Sequence, residues 1–357
     1  EQTREAYMAA LFAEIGGRAK DYSDRTVTSI FIGGGTPSLL SGEQIGQLMD
    51  RIREQFAMAQ DAEITMEVNP GTASAEKLRN FYTAGINRLS IGMQSAQAEE
   101  LKNLGRIHDF EGFCQVYREA VEAGFTNINV DIMSGLPGQT LASYRDTLEK
   151  VLHLEPMPQH ISAYSLIVEE GTPFAAMAER GELPLPEEET ERAMYEETIE
   201  VLAKYGFHRY EISNYARDGY ECRHNVGYWI RRDYLGFGIG AASLIDNVRF
   251  QNEKSLGAYL AHPLESREEE QTLTVQDRME ETMFLGLRLT RGVSCVDFAE
   301  QYGRTVEEVY GEVIARNVAD GLLTVTERKE NQKKDRLLAL TKRGLDLSNY
   351  VMAQFLF

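Results

Sequence analysis

The stretch FIGGGTPSLL, from Phe31 to Leu40, decides the fold of this chain because it joins a β-strand to a turn of glycines. The apolar run TVTSIFI at residues 26–32 predicts the strand, and Gly33, Gly34 and Gly35 follow it at once. Glycines lack a Cβ atom, so a ligand can approach the main-chain N–H and C=O groups of this turn closely. The alternative is a tight strand-to-helix turn that holds no ligand. The stretch contains neither a P-loop lysine nor the G-x-G-x-x-G spacing, which argues against both kinds of nucleotide loop.

Four more apolar runs alternate with helical stretches in the first two hundred residues. The runs are AEITMEV (62–68), INRLSIGM (86–93), TNINVDIM (126–133) and HISAYSLI (160–167). Repeated strand–helix units indicate a parallel sheet, either an open sheet or a barrel. Polar residues or glycines end all five strands, as in barrel enzymes, whereas an open sheet concentrates its site at one switch point. The pattern therefore predicts an α/β fold with a partial (β/α)6 barrel like a TIM barrel, whose first strand would precede Glu1.

Three regions are predicted along the chain. Residues 1–206 form the partial barrel, and residues 207–263 form a β-rich extension with many turns. Residues 264–357 begin with a charged linker, LESREEEQTLT at 264–274, and continue with three helical patterns and a β-hairpin. The order helix, helix, helix, hairpin predicts a winged-helix-like α+β domain.

The charge and the cysteines exclude several classes of function. The 37 Lys and Arg residues and 56 Asp and Glu residues give a net charge of −19, which argues against a nucleic-acid partner and against a DNA-binding winged helix. The three cysteines, Cys114, Cys222 and Cys295, are far apart and form no CxxC pair. They indicate a reducing cytoplasm and predict no metal site by themselves.

Four polar side chains lie on the rim that the predicted strand ends would share. Glu67 and Asp131 are acids at the ends of otherwise apolar strands, a costly place for a carboxylate that has no partner. Gln94 and Arg106 lie on the same rim. Together they favour a ligand with hydroxyls and a charged end, such as a ribose and an amino acid carboxylate. The alternative is that the acids cap helices or anchor loops.

The segment CRHNVGYW, from Cys222 to Trp229, contains the single tryptophan of the chain. His224 can ligate iron axially, the rings of Tyr228 and Trp229 offer flat faces, and nearby arginines can pair with carboxylates. A porphyrin with propionates would use all three properties. Residue types alone favour the other interpretation, which is a buried aromatic cluster around a hydrogen-bonded histidine.

Taken together, the motifs resemble a known family over nearly the whole chain. The segments are IFIGGGTPSLL, MEVNPGT, GINRLSIGMQS, LGRIH, NVDIMSGLPGQT and ISAYSLIVEEGTPF. They are similar to the radical S-adenosylmethionine (SAM) proteins related to oxygen-independent coproporphyrinogen III oxidase. The element HNVGYW resembles the mark of the heme chaperone branch of that family.

The resemblance implies two sets of binding residues. The glycines would bind the methionine moiety of SAM through their backbone, Arg106 would bind its carboxylate, and the other polar residues would bind chiefly ribose hydroxyls. The implied SAM residues are Gly33, Gly34, Gly35, Thr36, Glu67, Gln94, Arg106, Asp131 and Ala163, the last near the adenine. The implied heme residues are His224, Asn225, Tyr228 and Trp229, with His224 as the candidate contact.

One part of the family pattern is absent from the chain. Radical SAM chemistry needs a CxxxCxxC motif whose thiolates hold three irons of a [4Fe–4S] cluster, and this motif is expected upstream of Glu1. Cys114, Cys222 and Cys295 cannot replace it at their spacing. Reductive cleavage of SAM is therefore not expected of the chain as given.

The resemblance leaves two functions open. The first is a heme chaperone that binds heme and delivers it to respiratory heme proteins at the membrane. The second is an oxygen-independent coproporphyrinogen III oxidase, which converts coproporphyrinogen III to protoporphyrinogen IX by decarboxylating two propionates. A cytoplasmic location that becomes peripheral to the membrane during delivery, a homodimer, and no nucleic-acid partner are further expectations.

Overall fold

A mixed sheet of seven strands forms the larger part of the structure, a computed structural model that describes residues 2–265, 267–330 and 333–356. Its strands are β1 (Thr26–Ile32), β2 (Ala57–Val68), β3 (Arg88–Gln94), β4 (Ile128–Ser134), β5 (His160–Ser165), β6 (His208–Arg209) and β7 (Asn214–Ala216). Strands β1 to β5 are parallel and stand side by side in chain order. Strand β7 pairs antiparallel with β5, and β6 pairs antiparallel with β7. The five strands predicted from the apolar runs are confirmed.

Eight helices accompany these strands. They are α1 (Gln2–Arg18), α2 (Gly42–Gln55), α3 (Ala75–Thr83), α4 (Ala98–Asn103), α5 (Phe110–Ala123), α6 (Leu141–Leu152), α7 (Pro173–Glu179) and α8 (Glu188–Lys204). Their ends follow local sequence signals. Ser41 begins α2 and Thr140 begins α6, each with a complete capping box. Helix α5 ends at Gly124, whose φ of 109° would strain any residue with a Cβ atom.

The two faces of the main sheet differ in polarity because successive side chains of a strand point to opposite faces. The outer face carries apolar side chains such as Met66, Ile91 and Val130, which are fully buried in one continuous core beneath the helices. The inner face carries polar side chains at the alternate positions. They include Glu63, Thr65 and Glu67 of β2, Arg88 and Ser90 of β3, Asn129 and Asp131 of β4, and His160 and Ser162 of β5. The concave side of the partial barrel is therefore a polar surface.

The extension after the main sheet contains a second sheet of three strands. Its elements are α9 (Arg223–Trp229), β8 (Ala242–Ile245), β9 (Val248–Asn252), α10 (Leu256–Ala261) and β10 (Arg267–Thr272), with the strand order β10-β9-β8. The prediction of a linker over 264–274 is wrong for β10, which pairs antiparallel with β9. All side chains of β10 are exposed, so its composition resembles a linker. The backbone hydrogen bonds of a sheet edge, however, are available to any extended segment.

The C-terminal region has its own core and a winged-helix-like arrangement. Its elements are α11 (Val275–Gly286), β11 (Val293–Ser294), α12 (Cys295–Tyr302), α13 (Val306–Ala319), β12 (Leu323–Glu330), β13 (Lys333–Leu340), α14 (Lys342–Asp346) and α15 (Ser348–Ala353). Met283, Leu287, Phe298 and Leu338 are buried together in this core. The tip of the predicted β-hairpin includes residues 331–332, between β12 and β13, which lie outside the described residues. Within the described ranges no helix is both long and apolar enough to cross a membrane.

The predicted fold class, an α/β partial barrel of radical SAM type with a C-terminal winged-helix-like domain, is confirmed. The division into three domains stays a prediction. Strands β6 and β7 come from the predicted extension, residues 207–263, yet they belong to the seven-stranded sheet of the barrel.

Candidate functional site

The glycine turn lies open at the C-terminal end of β1. Gly34 and Gly35 have φ angles of 81° and 64°, a region that suits residues without a Cβ atom. Among the described residues other than each glycine and its two chain neighbours, no heavy atom lies within 4 Å of the point where a Cβ would stand at either position. A Cβ at Gly33 would instead stand 2.7 Å from the ring of Phe31 and 3.0 Å from the carboxyl carbon of Glu67. The backbone of this turn is therefore accessible to a ligand, as the sequence predicts.

Two carboxyl groups face each other across the inner side of the sheet. Glu67 accepts a hydrogen bond from the backbone N–H of Gly34 at 3.1 Å. Asp131 accepts hydrogen bonds from Asn129 Nδ2 at 2.7 Å and from Ser90 Oγ at 3.2 Å. Burial raises the pKa of both carboxyls above the ordinary value, and the charge of Asp131 raises the pKa of Glu67 further. A nearby cation or hydroxyl donor would stabilise the ionised form of both carboxyls.

Gln94 and Arg106 are the other two side chains predicted at this rim. Gln94 is buried at the end of β3 with a φ of 69°, and its Oε1 accepts a hydrogen bond from the Tyr164 hydroxyl at 3.0 Å. Burial raises the pKa of Tyr164, and the positive charge of Arg106 opposes this rise. Gln94 and Tyr164 are thus in contact at the strand ends, and the assignment of Arg106 to this rim stays a prediction.

Thr36 and Ala163, two further SAM candidates, both form backbone hydrogen bonds. Thr36 begins the short turn after the glycines, and its carbonyl accepts the N–H of Leu39 at 3.0 Å. The side chain of Ala163 packs against the apolar core on the outer face of the sheet. The Ala163 N–H is bonded to the carbonyl of Ser213 at 2.8 Å.

A cavity of about 340 Å³ opens on the inner face of the sheet beneath the rim. Glu67, Asp131 and Asn225 line it together, so one residue of the predicted heme set adjoins two of the predicted SAM set. The other lining residues were not predicted as site residues. They are Phe31, Arg88, Ser90, Asn129, Ser162, Tyr164, Ser213 and Asn214.

Arg88 is the unusual member of this lining because its guanidinium is nearly sealed from solvent. The residue is 2% exposed, and its Nη1 donates only a long bond of 3.5 Å to Thr65 Oγ1. Within the described part of the chain its Nε has no hydrogen-bond partner. Polar residues at every second position of a strand, such as Arg88 and Ser90 of β3, are the signal that could have identified this wall from the sequence.

Helix α9 lies against the inner face of the sheet, where Glu63 of β2 caps its first turn. The Glu63 carboxylate accepts the N–H groups of Arg223 and His224, both at 3.0 Å, and the thiol of Cys222 at 3.5 Å. Glu63 is only 6% exposed. An anion at a helix N-terminus satisfies free N–H groups and complements the helix dipole. Glu63 thereby fixes the start of the segment that carries the predicted heme motif.

The imidazole of His224 is enclosed on several sides. Its Nδ1 lies 3.2 Å from Ser29 Oγ, and its Nε2 lies 3.1 Å from the Tyr228 hydroxyl. The ring of Phe31 stacks on it with 5.1 Å between centroids. Burial lowers the pKa of His224, an effect that the charge of Glu63 opposes, so the neutral imidazole is favoured. A new ligand for Nε2 would have to displace the Tyr228 hydroxyl.

The four predicted heme residues do not converge on one point. His224 and Tyr228 are in contact, whereas Asn225 lines the cavity on the inner face. Trp229 points towards the C-terminal region, where the guanidinium of Arg288 lies 4.3 Å from its ring centroid. Successive side chains of a helix are rotated by about 100° about its axis, so neighbouring residues of the motif on α9 face different surroundings.

The described residues contain no group that fits an iron–sulfur cluster. Cys114, Cys222 and Cys295 are free thiols on separate elements. No cluster of three or more His, Cys, Asp or Glu side chains within the described ranges could hold a metal ion. The residues of the rim and cavity, in contrast, fit SAM, since they offer open backbone groups and desolvated carboxyls.

We expect Glu67→Gln to raise the thermal stability of the free protein at about pH 8. Burial makes the ionised Glu67 unfavourable, and this penalty is complete above the raised pKa and fades as the pH falls towards the ordinary value of 4.5. The gain in Tm over wild type should therefore shrink at about pH 5. Glu99→Gln, at an exposed ion pair with Lys102, is the control and should show no such pH dependence. A lower Tm for Glu67→Gln at the higher pH would contradict this account.

Comparisons with known proteins give consistent results. The family described as the Radical SAM superfamily matches residues 2–151, and the HemN C-terminal domain matches residues 273–347. The chain is 37% identical to the heme chaperone HemW of Bacillus subtilis (strain 168), over 99% of this chain and 92% of that protein. It is 35% identical to the heme chaperone HemW of Escherichia coli (strain K12), over 91% and 85% respectively.

A solved structure is similar over almost the whole chain. Coproporphyrinogen III oxidase (HemN) from Escherichia coli, a radical SAM enzyme, has a TM-score of 0.83 and 26% sequence identity. The similarity covers 99% of this chain and 84% of that protein. The partial barrel and the C-terminal region are therefore shared between the two structures.

Proposed function

Because this chain belongs to the heme chaperone HemW family of radical SAM proteins, we propose that it binds heme and delivers it to respiratory heme proteins at the membrane. The observation that carries the proposal is helix α9, which sets the HNVGYW motif against the inner face of a radical SAM barrel. Heme is the cargo in this account. The recipients, a homodimeric state and a cytoplasmic location that becomes peripheral to the membrane during delivery belong to the same proposal.

His224 is the proposed heme ligand. Burial favours its neutral imidazole, which is the form that can donate a lone pair to iron. Phe31 and Tyr228 supply aromatic surface on two sides of the ring. Asn225, Tyr228 and Trp229 complete the proposed heme set, with Trp229 acting from the side of the C-terminal region. Heme binding would require the Tyr228 hydroxyl to leave Nε2.

The rim and cavity are the proposed SAM site. Gly33, Gly34, Gly35 and Thr36 would bind the methionine end through their backbone, and Arg106 would bind its carboxylate. Glu67, Gln94 and Asp131 would hold polar groups such as the ribose hydroxyls, with Ala163 near the adenine. The raised pKa values of the two acids support this assignment, because SAM carries positive charge and hydroxyl donors. In this family SAM with a [4Fe–4S] cluster supplies radical chemistry, and the described residues offer no ligands for that cluster.

A transfer assay tests delivery. The full chain loaded with hemin is mixed with respiratory membranes depleted of heme, and the return of cytochrome absorbance is followed with time. We expect faster recovery than with the same hemin bound to albumin. Recovery no faster than with albumin would reject delivery while leaving heme binding to be judged by titration.

The similarity to coproporphyrinogen III oxidase favours one second candidate, the oxidase itself. Anaerobic incubation of a cluster-loaded form of the protein that carries the CxxxCxxC motif, together with coproporphyrinogen III, SAM and a reductant, distinguishes the two functions. Formation of protoporphyrinogen IX together with 5′-deoxyadenosine would favour the oxidase. The chaperone proposal predicts that no protoporphyrinogen IX forms.

A further inference from the structure

Ser29, on the inner face of β1, contacts the ring of the proposed heme ligand. We infer that Ser29 is a positioning residue that holds His224 Nδ1 and leaves Nε2 as the nitrogen offered to heme iron. The inference rests on the proposed function, because it concerns the same histidine. Nothing in the sequence singles out this serine, which sits within the otherwise ordinary run TVTSIFI.

The geometry shows that adjacent strands hold both the backbone and the ring of His224. Ser29 of β1 pairs in register with Glu63 of β2. Glu63 accepts the backbone N–H of His224 at 3.0 Å, while Ser29 Oγ lies 3.2 Å from Nδ1. The ring of Phe31, two residues along β1, stacks on the imidazole with an interplanar angle of 25°. The sheet thus fixes the position, the plane and one edge of the ring.

The two ring nitrogens have different kinds of neighbour. Ser29 belongs to a paired strand of the main sheet, so the Nδ1 edge faces a rigid surface. Tyr228 lies one turn further along the short helix α9, and its hydroxyl is 3.1 Å from Nε2. A rotation of the Tyr228 side chain can release this second bond, whereas heme approaching Nδ1 would meet strand β1, which carries Ser29. Nε2 is therefore the accessible nitrogen.

The protonation of the ring follows from the same arrangement. A neutral imidazole carries one N–H and one lone pair. If Nε2 binds iron, the proton resides on Nδ1, which then donates to Ser29 Oγ. Histidines that bind metals almost always donate their second N–H in this way, and the bond orients the ring and raises its basicity as a ligand. In the heme-free protein the same tautomer lets Nε2 accept from the Tyr228 hydroxyl.

The expected effect of removing the serine hydroxyl is a weaker bond between iron and histidine. Loss of such an outer partner typically lowers metal affinity by about 10–100-fold. We expect Ser29→Ala to raise the Kd for hemin by roughly tenfold. Ser29→Thr keeps the hydroxyl on a β-branched side chain that suits a strand, so it should restore the affinity.

Resonance Raman spectroscopy of the ferrous heme complex of the full chain tests the inference directly. The iron–histidine stretching band should move to lower frequency in Ser29→Ala and return in Ser29→Thr, alongside the changes in Kd. Thr26→Ala is the matched control, because it removes a hydroxyl from an exposed residue at the start of the same strand. It should leave both the band and the Kd unchanged. Thermal unfolding of each variant separates a local effect from loss of the fold.

The outcomes distinguish this inference from the proposed function. An unchanged band and Kd in Ser29→Ala would overturn the role of Ser29. Hemin binding without an iron–histidine band in the wild type would overturn the inference and leave heme binding intact. A wild-type chain that binds no hemin would reject the proposed function, and the inference with it.

Discussion

Glu281→Ala is expected to lower the free energy of unfolding by about 3–5 kcal/mol, the usual cost of removing one partner from a buried ion pair. Glu281 of α11 binds Arg231 Nε at 2.7 Å and Arg249 Nη2 at 2.6 Å. The side chains of Glu281 and Arg231 are only 6% and 4% exposed, so the substitution leaves a buried guanidinium without its anion. Arg231 lies just beyond the end of α9, so the variant should also make the proposed heme motif on α9 more mobile.

Urea denaturation measures this loss of stability. Glu99→Ala is the matched control, since it makes the same replacement at an ion pair in which both side chains are largely exposed. Exposed pairs contribute little, so the control should unfold at the wild-type midpoint. Equal midpoints for Glu281→Ala and the control would show that the Arg231 pair does not anchor the end of α9.

Glu63→Ala is expected to have the second largest effect, because it removes the acceptor at the other end of α9. Each buried donor left without an acceptor costs about 1–3 kcal/mol. The N–H groups of Arg223 and His224 both lose their acceptor, so we expect a loss of about 2–4 kcal/mol in the free energy of unfolding. His224 also loses its fixed backbone, and hemin binding should weaken even where the fold persists.

Asp61→Ala is the matched control for Glu63→Ala. Asp61 lies on the same strand and pairs with the Arg223 side chain at 2.7 Å, but its carboxylate is largely exposed. Both variants disturb the same residue of α9, and only one removes the buried cap. Hemin titration combined with urea denaturation should show a large change for Glu63→Ala and a small one for Asp61→Ala. Similar changes in both variants would contradict a special role for the cap.

The sequence predicted the parallel strands and the rim because both depend on short-range patterns. Each apolar run ends in a polar residue or glycine, and parallel strands bring such ends to one edge of the sheet. Glu67 and Asp131 are therefore adjacent to one cavity, as their positions at strand ends imply. The turn of Gly34 and Gly35 was also predicted from a short-range pattern, because these glycines closely follow an apolar run.

The remaining features depend on contacts between segments far apart in the chain. Strand β10 carries charges typical of a linker. It is a strand because its backbone pairs with the edge of β9. The alternation of polar residues can place Arg88 on the inner face, but its place in a cavity wall depends on the curvature of the sheet, which a single run does not reveal. The bonds from Ser29 and Glu63 to His224 join residues separated by about 160 positions or more. Such pairings have no local signal in the sequence.

The central claim is that α9 binds heme through His224, and a hemin titration followed at the Soret band tests it most directly. The wild type, His224→Ala, and a variant that also replaces Asn225, Tyr228 and Trp229 with alanine are compared under the same conditions. We predict saturable binding by the wild type, a shifted and weaker Soret response in His224→Ala, and no specific binding in the multiple variant. Identical titrations of all three proteins would contradict heme binding at α9.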